Sequence, residues 1–481
     1  MEINNVNELT QTNNSTFYTE TQTENGISVR IKLANVIKFW ESKGYRKLKM
    51  PKGGYELVKI KQNSIISRAF PDELMQEVKH QLLNIDRKNH VWETFIEQDF
   101  ISKKSTSAFD TIRQIRLNIC DANTAYLFFK NGVLKVTKDS KELLSYQNYN
   151  GYVFEEQIIE HDYSFEYEDI PVPSCFDRFL FNVSGNETSR YNYLATSLGY
   201  LIHGYKDSTL TKAVILVDEV LDFSGEANGG TGKSLIGKAV SKVTSVLEKD
   251  GKGLVHKGNR FFYQDLSLSH RVLYLDDVNV EFNFEDFYSV VTGDLTVEEK
   301  YKASYTIPFT LSPKLFITSN YMVKGSGGNS DNRRRVEIEI APYYDSDFTP
   351  QDEFGQRFFD DWDLKEWSLF YRDMIGYCQN YLNEGILYSN PINLKENKLK
   401  LETDISFVEF ADANILLDES NQVVKNKTTL IETFRSEYPV ESRNISTIRF
   451  KKWLDTWAVC RGLNTYHYKS NSQALVRFFR A

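Results

Sequence analysis

No stretch of this sequence approaches the roughly 20 consecutive apolar residues that a membrane span needs, and Met1-Glu-Ile-Asn-Asn-Val-Asn7 lacks the basic and apolar regions of a secretory signal. A cytoplasmic protein without a membrane partner is expected. Cysteine is scarce. Cys120, Cys175, Cys378 and Cys460 stand apart with no C-x-x-C pair, which sets aside a zinc ribbon and a disulfide framework. Basic excess is missing too: the formal net charge of −8 argues against a surface coated for duplex DNA, while leaving room for a local basic channel. Aliphatic residues are almost absent before Ile27, where Asn, Thr, Gln and Glu dominate, so residues 1–26 read as a disordered tail.

What is present is ordinary soluble-protein composition, 41% hydrophobic and 26% charged, over a length that suits two to four domains. The informative stretch is Gly225-Glu-Ala-Asn-Gly-Gly-Thr-Gly-Lys-Ser234. Before it, Ala213-Val-Ile-Leu-Val217 reads as a buried strand. After it, Leu235, Ile236, Ala239, Val240, Val243 and Leu247 recur at helical spacing. Strand, glycine turn and helix in that order make a phosphate site, because loop amides and the free N–H groups of the first helical turn point at one spot. Gly229, Gly230, Thr231, Gly232, Lys233 and Ser234 are the expected nucleotide-binding residues. Lys233 would reach the β- and γ-phosphates of ATP and Ser234 would be a Mg²⁺ ligand. Ala227 stands where the G-x-x-x-x-G-K-[ST] pattern has its first glycine.

Two apolar runs end in paired acids. Val214-Ile-Leu-Val-Asp218-Glu219 feeds the glycine loop itself and so cannot be the neighbouring metal-holding strand; Asp218 and Glu219 are expected to be strand-end or partner-facing residues. Arg271-Val-Leu-Tyr-Leu-Asp276-Asp277 suits that role better, with Asp276 holding Mg²⁺ and Asp277 orienting the attacking water. Pro313-Lys-Leu-Phe-Ile-Thr-Ser-Asn320 is a third buried run, and its terminal carboxamide can hydrogen-bond both a γ-phosphate and a lytic water. Then come Arg333, Arg334 and Arg335 at the start of another strand. Such arginines are salt-bridging surface residues or, in a ring ATPase, fingers that reach a neighbour's nucleotide.

Gly-Gly-Thr-Gly-Lys-Ser, Leu-Tyr-Leu-Asp-Asp, Val-Glu-Glu-Lys-Tyr-Lys and Phe-Ile-Thr-Ser-Asn followed by arginines, in this order, resemble the superfamily 3 helicases, the AAA+ class of DNA viruses, phages and plasmids. The nearest likeness is to the helicase half of phage and poxvirus-type primase-helicases. The resemblance implies an α/β fold with an AAA+ P-loop ATPase core, a homo-hexameric ring with ATP and Mg²⁺ at subunit interfaces, and a hairpin carrying Lys300, Tyr301 and Lys302 toward single-stranded DNA in the channel. Lys233, Asp276, Asp277, Asn320, Arg333 and Arg334 would be catalytic, with Arg333 and Arg334 fitting the paired finger position best. It also implies an ATP-dependent DNA helicase or translocase in the replication of a mobile element, working in the host cytoplasm if viral. The alternatives are a protein-remodelling or phage-defence AAA+ ATPase and a DNA-binding replication initiator with weak ATPase activity.

On this reading residues 27–185 form an α+β N-terminal region, 186–345 the ATPase domain, 346–420 a helical subdomain, and 421–481 a basic winged-helix-like domain. The N-terminal region lacks a carboxylate and histidine set for primase chemistry, since His80 and His90 stand alone, so a primase would be a separate partner. Glu155 to Asp169 reads as a solvated acidic face. From Asn421 onward eleven Lys and Arg face four Asp and Glu, a basic surface on an otherwise acidic chain.

Overall fold

The structure is a computed structural model that describes residues 17–23, 26–51, 54–62, 64–83, 88–112, 116–221, 230–254, 256, 258–301 and 303–480. Its centre is a five-stranded sheet of β1 (Ala213–Asp218), β2 (Val246–Asp250), β3 (Val272–Val278), β4 (Lys314–Ser319) and β5 (Arg335–Ile340). The order across it is β2-β3-β4-β1-β5, and every pair is parallel. Parallel strands are covered on both faces and read as continuous apolar runs; every residue of β1 and β4 is buried. Alternate residues serve opposite layers. Val214, Leu216, Tyr274, Phe316, Val336 and Ile338 pack with the helices Thr188–Ile202 and Leu364–Glu384. Ile215, Val217, Leu273, Leu275 and Ile317 pack with Phe284, Phe287 and Val290 on the other side.

After β1 the chain enters α1 (Lys233–Ser241) and continues to the far edge strand β2, while β5 returns on the opposite side of β1. That reversal makes a crevice at the carboxyl end of β1, the usual ligand position in such sheets. The helix is shorter than the apolar spacing predicts. It ends at Ser241, and Leu247 lies in β2 opposite Leu273, because pairing with β3 satisfies a full strand backbone that one more helical turn would leave as a bare sheet edge.

Three expected boundaries shift. Tyr18–Thr23 is a strand paired antiparallel with Gly26–Ile31, not part of a disordered tail. Its anchor is the fully buried Phe17, whose ring lies 5.1 Å from Phe39 and 5.9 Å from Phe95. Residues 1–16 and 24–25 lie outside the described residues. A division at residue 186 would cut one core, because the helix Cys175–Val183 and the hairpin Ala125–Phe129 with Gly132–Val136 share buried contacts with the central sheet. A division at 421 cuts another. Leu399, Phe407 and Phe410 pack with Phe434, Trp453 and Phe478, so the helix Ile405–Asn414 belongs to the terminal unit. That unit continues with strand Gln422–Asn426, helices Lys427–Glu437 and Thr447–Cys460, and the hairpin Asn464–Ser470 with Gln473–Phe479. Its last strand is central in the sheet.

Two lysines sit inside the fold with no carboxylate bonded to them among the described residues. Lys206, 5% exposed, donates to the carbonyls of Val290 (2.6 Å) and Pro313 (3.0 Å) and to Ser312 Oγ (2.7 Å). Lys314, 3% exposed, donates to the carbonyls of Tyr200 (2.5 Å) and His203 (2.6 Å). Burial pulls both ammonium groups from the ordinary 10.5 down to about 7. Between those values the unfolded chain binds more protons than the folded one, so stability rises with pH through that window. Urea unfolding at pH 7 and at pH 9.5 should show this rise, and replacing both lysines by Met should flatten it.

Candidate active site

The site forms where three strand ends meet the start of α1. Thr231 and Lys233 both donate to Asp218 Oδ1, at 2.7 and 2.5 Å, and Lys233 Nζ lies 3.1 Å from Thr231 Oγ1. Lys233 and Asp218 are buried at 7% and 4% exposure. Burial pulls the Lys233 ammonium below its ordinary range, and the Asp218 carboxylate opposes that fall. Asp218 is therefore neither a plain strand end nor partner-facing; it is the internal counterion of Lys233. Glu219 is likewise turned inward, 2.7 Å from Arg190. Burying an ammonium without a counterion is costly, and the strand leading into the turn is the element that supplies one.

Gly230 and Gly232 adopt φ of 109° and 97°, the left-handed region where a side chain is strained. A Cβ on Gly232 would also lie 2.6 Å from the Phe179 ring. This turn delivers α1 so that its first N–H groups, which have no partner within the helix, face the crevice. The positive end of the helix dipole favours an anion there. Gly225, Ala227 and Gly229 lie outside the described residues.

Beside it, Ser234 Oγ donates to Asp276 at 3.1 Å. Asp276 Oδ1 also accepts from Tyr274 (2.5 Å) and Thr318 (2.7 Å). Burial and the bond to Asp276 push the Tyr274 phenol upward, which keeps it a neutral donor. A hydroxyl facing a carboxylate is a fitting oxygen set for Mg²⁺, which keeps water and phosphate as its other ligands. Among the described residues no group of three or more His, Cys, Asp or Glu gathers for a metal, so such an ion would depend on ligands from a bound phosphate.

Asp277 follows at φ 54°, where the β3–β4 register shifts between Leu275 and Val278. A bulge re-aims a strand-end side chain. Here the carboxylate accepts from Asn320 Nδ2 at 2.7 Å and pairs with Lys252 at 2.7 Å. That hydrogen bond and charge raise the Lys252 ammonium. Lys233, Ser234, Asp276, Asp277 and Asn320 thus lie together at these strand ends. Sequence reading missed Asp218 as a counterion, and it missed Tyr274, Thr318 and Lys252. Tyr274 and Thr318 each stand two residues before an expected site residue and so share its strand face, a signal that was available. Lys252 comes from the turn after β2 and has none.

The arginines and the hairpin lie elsewhere. Ala213 pairs with Arg335 and Asp218 with Ile340, so Arg333 and Arg334 begin at the amino edge of the sheet, five strand residues or about 16 Å from the crevice. Arg335 is buried against Asp331 and Glu337, each at 3.0 Å. Arg334 donates to Ser330 and lies over the Tyr288 ring, whereas Arg333 is exposed. Strands Leu295–Val297 and Tyr305–Ile307 pair antiparallel, and Tyr301 between them is fully exposed at φ 62°. Lys300 Nζ lies 5.9 Å from the Phe261 ring centroid; Lys302 lies outside the described residues.

A protein family described as "Family of unknown function (DUF5906)" matches residues 223–335, the span from the glycine loop to the arginines. No curated protein matches. A solved structure described as "The A form apo structure of NrS-1 C terminal region-CTR" aligns with a TM-score of 0.45 and 12% identity, over 93% of this chain and 99% of that one. Another, "Structure of Drosophila ORC bound to DNA", aligns at 0.20 and 10%, over 66% and 88%. At these scores neither likeness establishes a shared fold.

The support of Asp276 depends on a glycine. A Cβ on Gly237 of α1 would lie 2.4 Å from the Tyr274 ring, which is buried and stacked on Phe316 at 4.8 Å and so has nowhere to swing. Gly237→Ala should therefore destabilise the chain by about 1–3 kcal/mol, although alanine favours a helix interior by up to ~1 kcal/mol. Urea unfolding measures the balance.

Proposed function

We propose that the chain is an ATP hydrolase with an AAA+ core of superfamily 3 type, which uses Mg²⁺-ATP to translocate on or unwind DNA during replication of a mobile element. The observation that carries this reading is the convergence of Lys233, Ser234, Asp276, Asp277 and Asn320 at the crevice beside β1, where the first N–H groups of α1 also point. Lys233 would exchange Asp218 for the β- and γ-phosphates. Ser234 and Asp276 would hold Mg²⁺, which when bound neutralises phosphate charge. Asp277 would orient the lytic water, with Asn320 fixing the carboxylate and sensing the γ-phosphate. Lys252 must release Asp277 for that step.

The arginine positions support a ring. A side chain starting about 16 Å from the crevice cannot reach the phosphate of its own chain, so Arg333 and Arg334 would act on a neighbour's nucleotide. Arg333, exposed beside the tethered Arg334, is the freer of the two. A homo-hexamer is the assembly proposed.

The hairpin favours DNA in the channel, since Lys300 can meet a phosphate and Tyr301 can stack on a base. The full exposure of Tyr301 also suits a loop that grips an unfolded polypeptide, which keeps protein remodelling as the second reading.

Two measurements test these statements. Lys233→Ala and Asp277→Asn should each lower Mg²⁺-ATP turnover by roughly 100-fold or more, and unchanged turnover in both rejects the site. Lys300→Ala should lower the log–log salt slope of single-stranded DNA binding by roughly 0.7 and abolish unwinding, with hydrolysis in the absence of DNA retained. If that variant binds and unwinds as wild type does while Tyr301→Ala loses the handling of unfolded protein, the remodelling reading replaces the helicase.

A further inference from the structure

We infer that Tyr274 and Thr318 set the ion selectivity of the site: by filling one oxygen of Asp276 they leave that carboxylate a single oxygen for a cation, which suits Mg²⁺ and disfavours Ca²⁺. The inference rests on the Mg²⁺-ATP reading above and deepens it, since it concerns two hydroxyls that touch neither phosphate nor ion in that reading. They are positioning residues, acting through Asp276.

A carboxylate offers two oxygens with about two lone-pair positions each. Asp276 Oδ1 accepts from Tyr274 Oη at 2.5 Å and from Thr318 Oγ1 at 2.7 Å, so the protein takes both of its positions. Ser234 Oγ adds a divided contact, 3.1 Å to Oδ1 and 3.3 Å to Oδ2, from an exposed side chain that is free to turn. Oδ2 is thus the oxygen that Asp276 presents to an ion.

The two donors are fixed in place. Thr318 is 1% exposed, and its oxygen already accepts from the Asp277 N–H at 2.9 Å, which leaves its proton for Asp276. Tyr274 is equally buried, with its ring stacked on Phe316 and pressed against Gly237. Its oxygen lies 3.3 Å from Thr318 Oγ1, a longer contact than the one to Asp276, so the phenol proton goes to the carboxylate. Turning Asp276 to offer both oxygens would strip two buried hydroxyls of their acceptor, and a buried donor without an acceptor is costly.

Divalent cations differ in what they ask of a carboxylate. Mg²⁺ demands a near-octahedral arrangement at roughly 2.0–2.1 Å and keeps several waters, whereas Ca²⁺ takes roughly six to eight oxygens at about 2.3–2.6 Å and often both oxygens of one carboxylate. With Oδ1 occupied, Asp276 supplies one ligand where the larger ion has use for two. Asp277 does not make up the difference, because its carboxylate faces Asn320 and Lys252.

The test reads ion-dependent nucleotide binding rather than turnover. A fluorescent, non-hydrolysable ATP analogue is titrated with the full chain as wild type, Tyr274→Phe, Thr318→Val and Thr318→Ser. Each titration is run without divalent ion, with Mg²⁺ and with Ca²⁺, and thermal unfolding checks each fold. Wild type should bind more tightly with Mg²⁺ than with Ca²⁺. Tyr274→Phe keeps the ring and Thr318→Val keeps the shape, while each frees a position on Oδ1. Removing a ligand's outer partner typically changes metal affinity 10–100-fold, so each should lower the ratio of Mg²⁺ to Ca²⁺ affinity by roughly tenfold or more. Affinity without divalent ion should stay at the wild-type value, because Lys233 and the glycine turn are untouched. Thr318→Ser keeps the hydroxyl and should keep the ratio. A wild-type ratio in both Tyr274→Phe and Thr318→Val overturns the inference and leaves the ATP site in place. Equal losses with Mg²⁺, with Ca²⁺ and without ion mark a packing role and overturn it too. Absence of nucleotide binding by the wild-type chain under all three conditions rejects the ATP reading, and the inference with it.

Discussion

A parallel sheet must be covered on both faces, and that constraint organises this chain. With helices on one side and the Phe284–Val290 layer on the other, the layering leaves the carboxyl edge, where the chain leaves each strand, open to polar groups. Asp218, Asp276, Asp277 and Asn320 all stand at that edge, within two residues of a buried aliphatic or hydroxyl residue of β1, β3 or β4. The site is a consequence of the layering: three strand ends brought side by side by pairing, and one helix start aimed at them by a turn with two glycines at positive φ.

Within that edge the charges are mutually satisfied. Lys233 rests on Asp218, Asp276 collects three hydroxyls, and Asp277 is shared by Asn320 and Lys252. A ligand must therefore replace internal bonds with better ones, and a polyanion at a helix start can do so because it brings several negative oxygens where Asp218 brings one. The geometry that holds the carboxylates is itself tightly packed, with Tyr274 wedged between Gly237 and Phe316. Packing on the far side of β3 and α1 and the direction of the Asp276 carboxylate are one problem.

Electrostatics elsewhere follow a different rule. Lys206 and Lys314 are buried against carbonyl oxygens with no carboxylate partner among the described residues, so they tie the segment before β1 to the start of β4 at the cost of a suppressed positive charge. The terminal unit carries the opposite arrangement, with its cations on the outside around the helix Thr447–Cys460.

Much of this was legible in the sequence. Continuous β-branched and aliphatic runs marked β1, β3 and β4, since a strand buried on both faces has no polar alternation, and the residues that end those runs marked Asp276, Asp277 and Asn320. The glycine cluster before Lys233 and Ser234 marked the turn, because only glycine takes its backbone angles without strain. What the sequence could not decide were partnerships across distance. Asp218 looked like a bare strand end because its counterion arrives only when the turn folds back; Lys252 gave no sign because the register of β2 against β3 brings it to Asp277. The helix after the turn stopped early because Leu247 gains a strand partner in Leu273. Phe17, in a polar stretch, became a core residue because Phe39 and Phe95 left room for it. Local pattern determined which residues form strands, turn and helix; tertiary pairing decided which charges face one another, since a buried charge is settled by whatever opposite group the packed chain brings within reach.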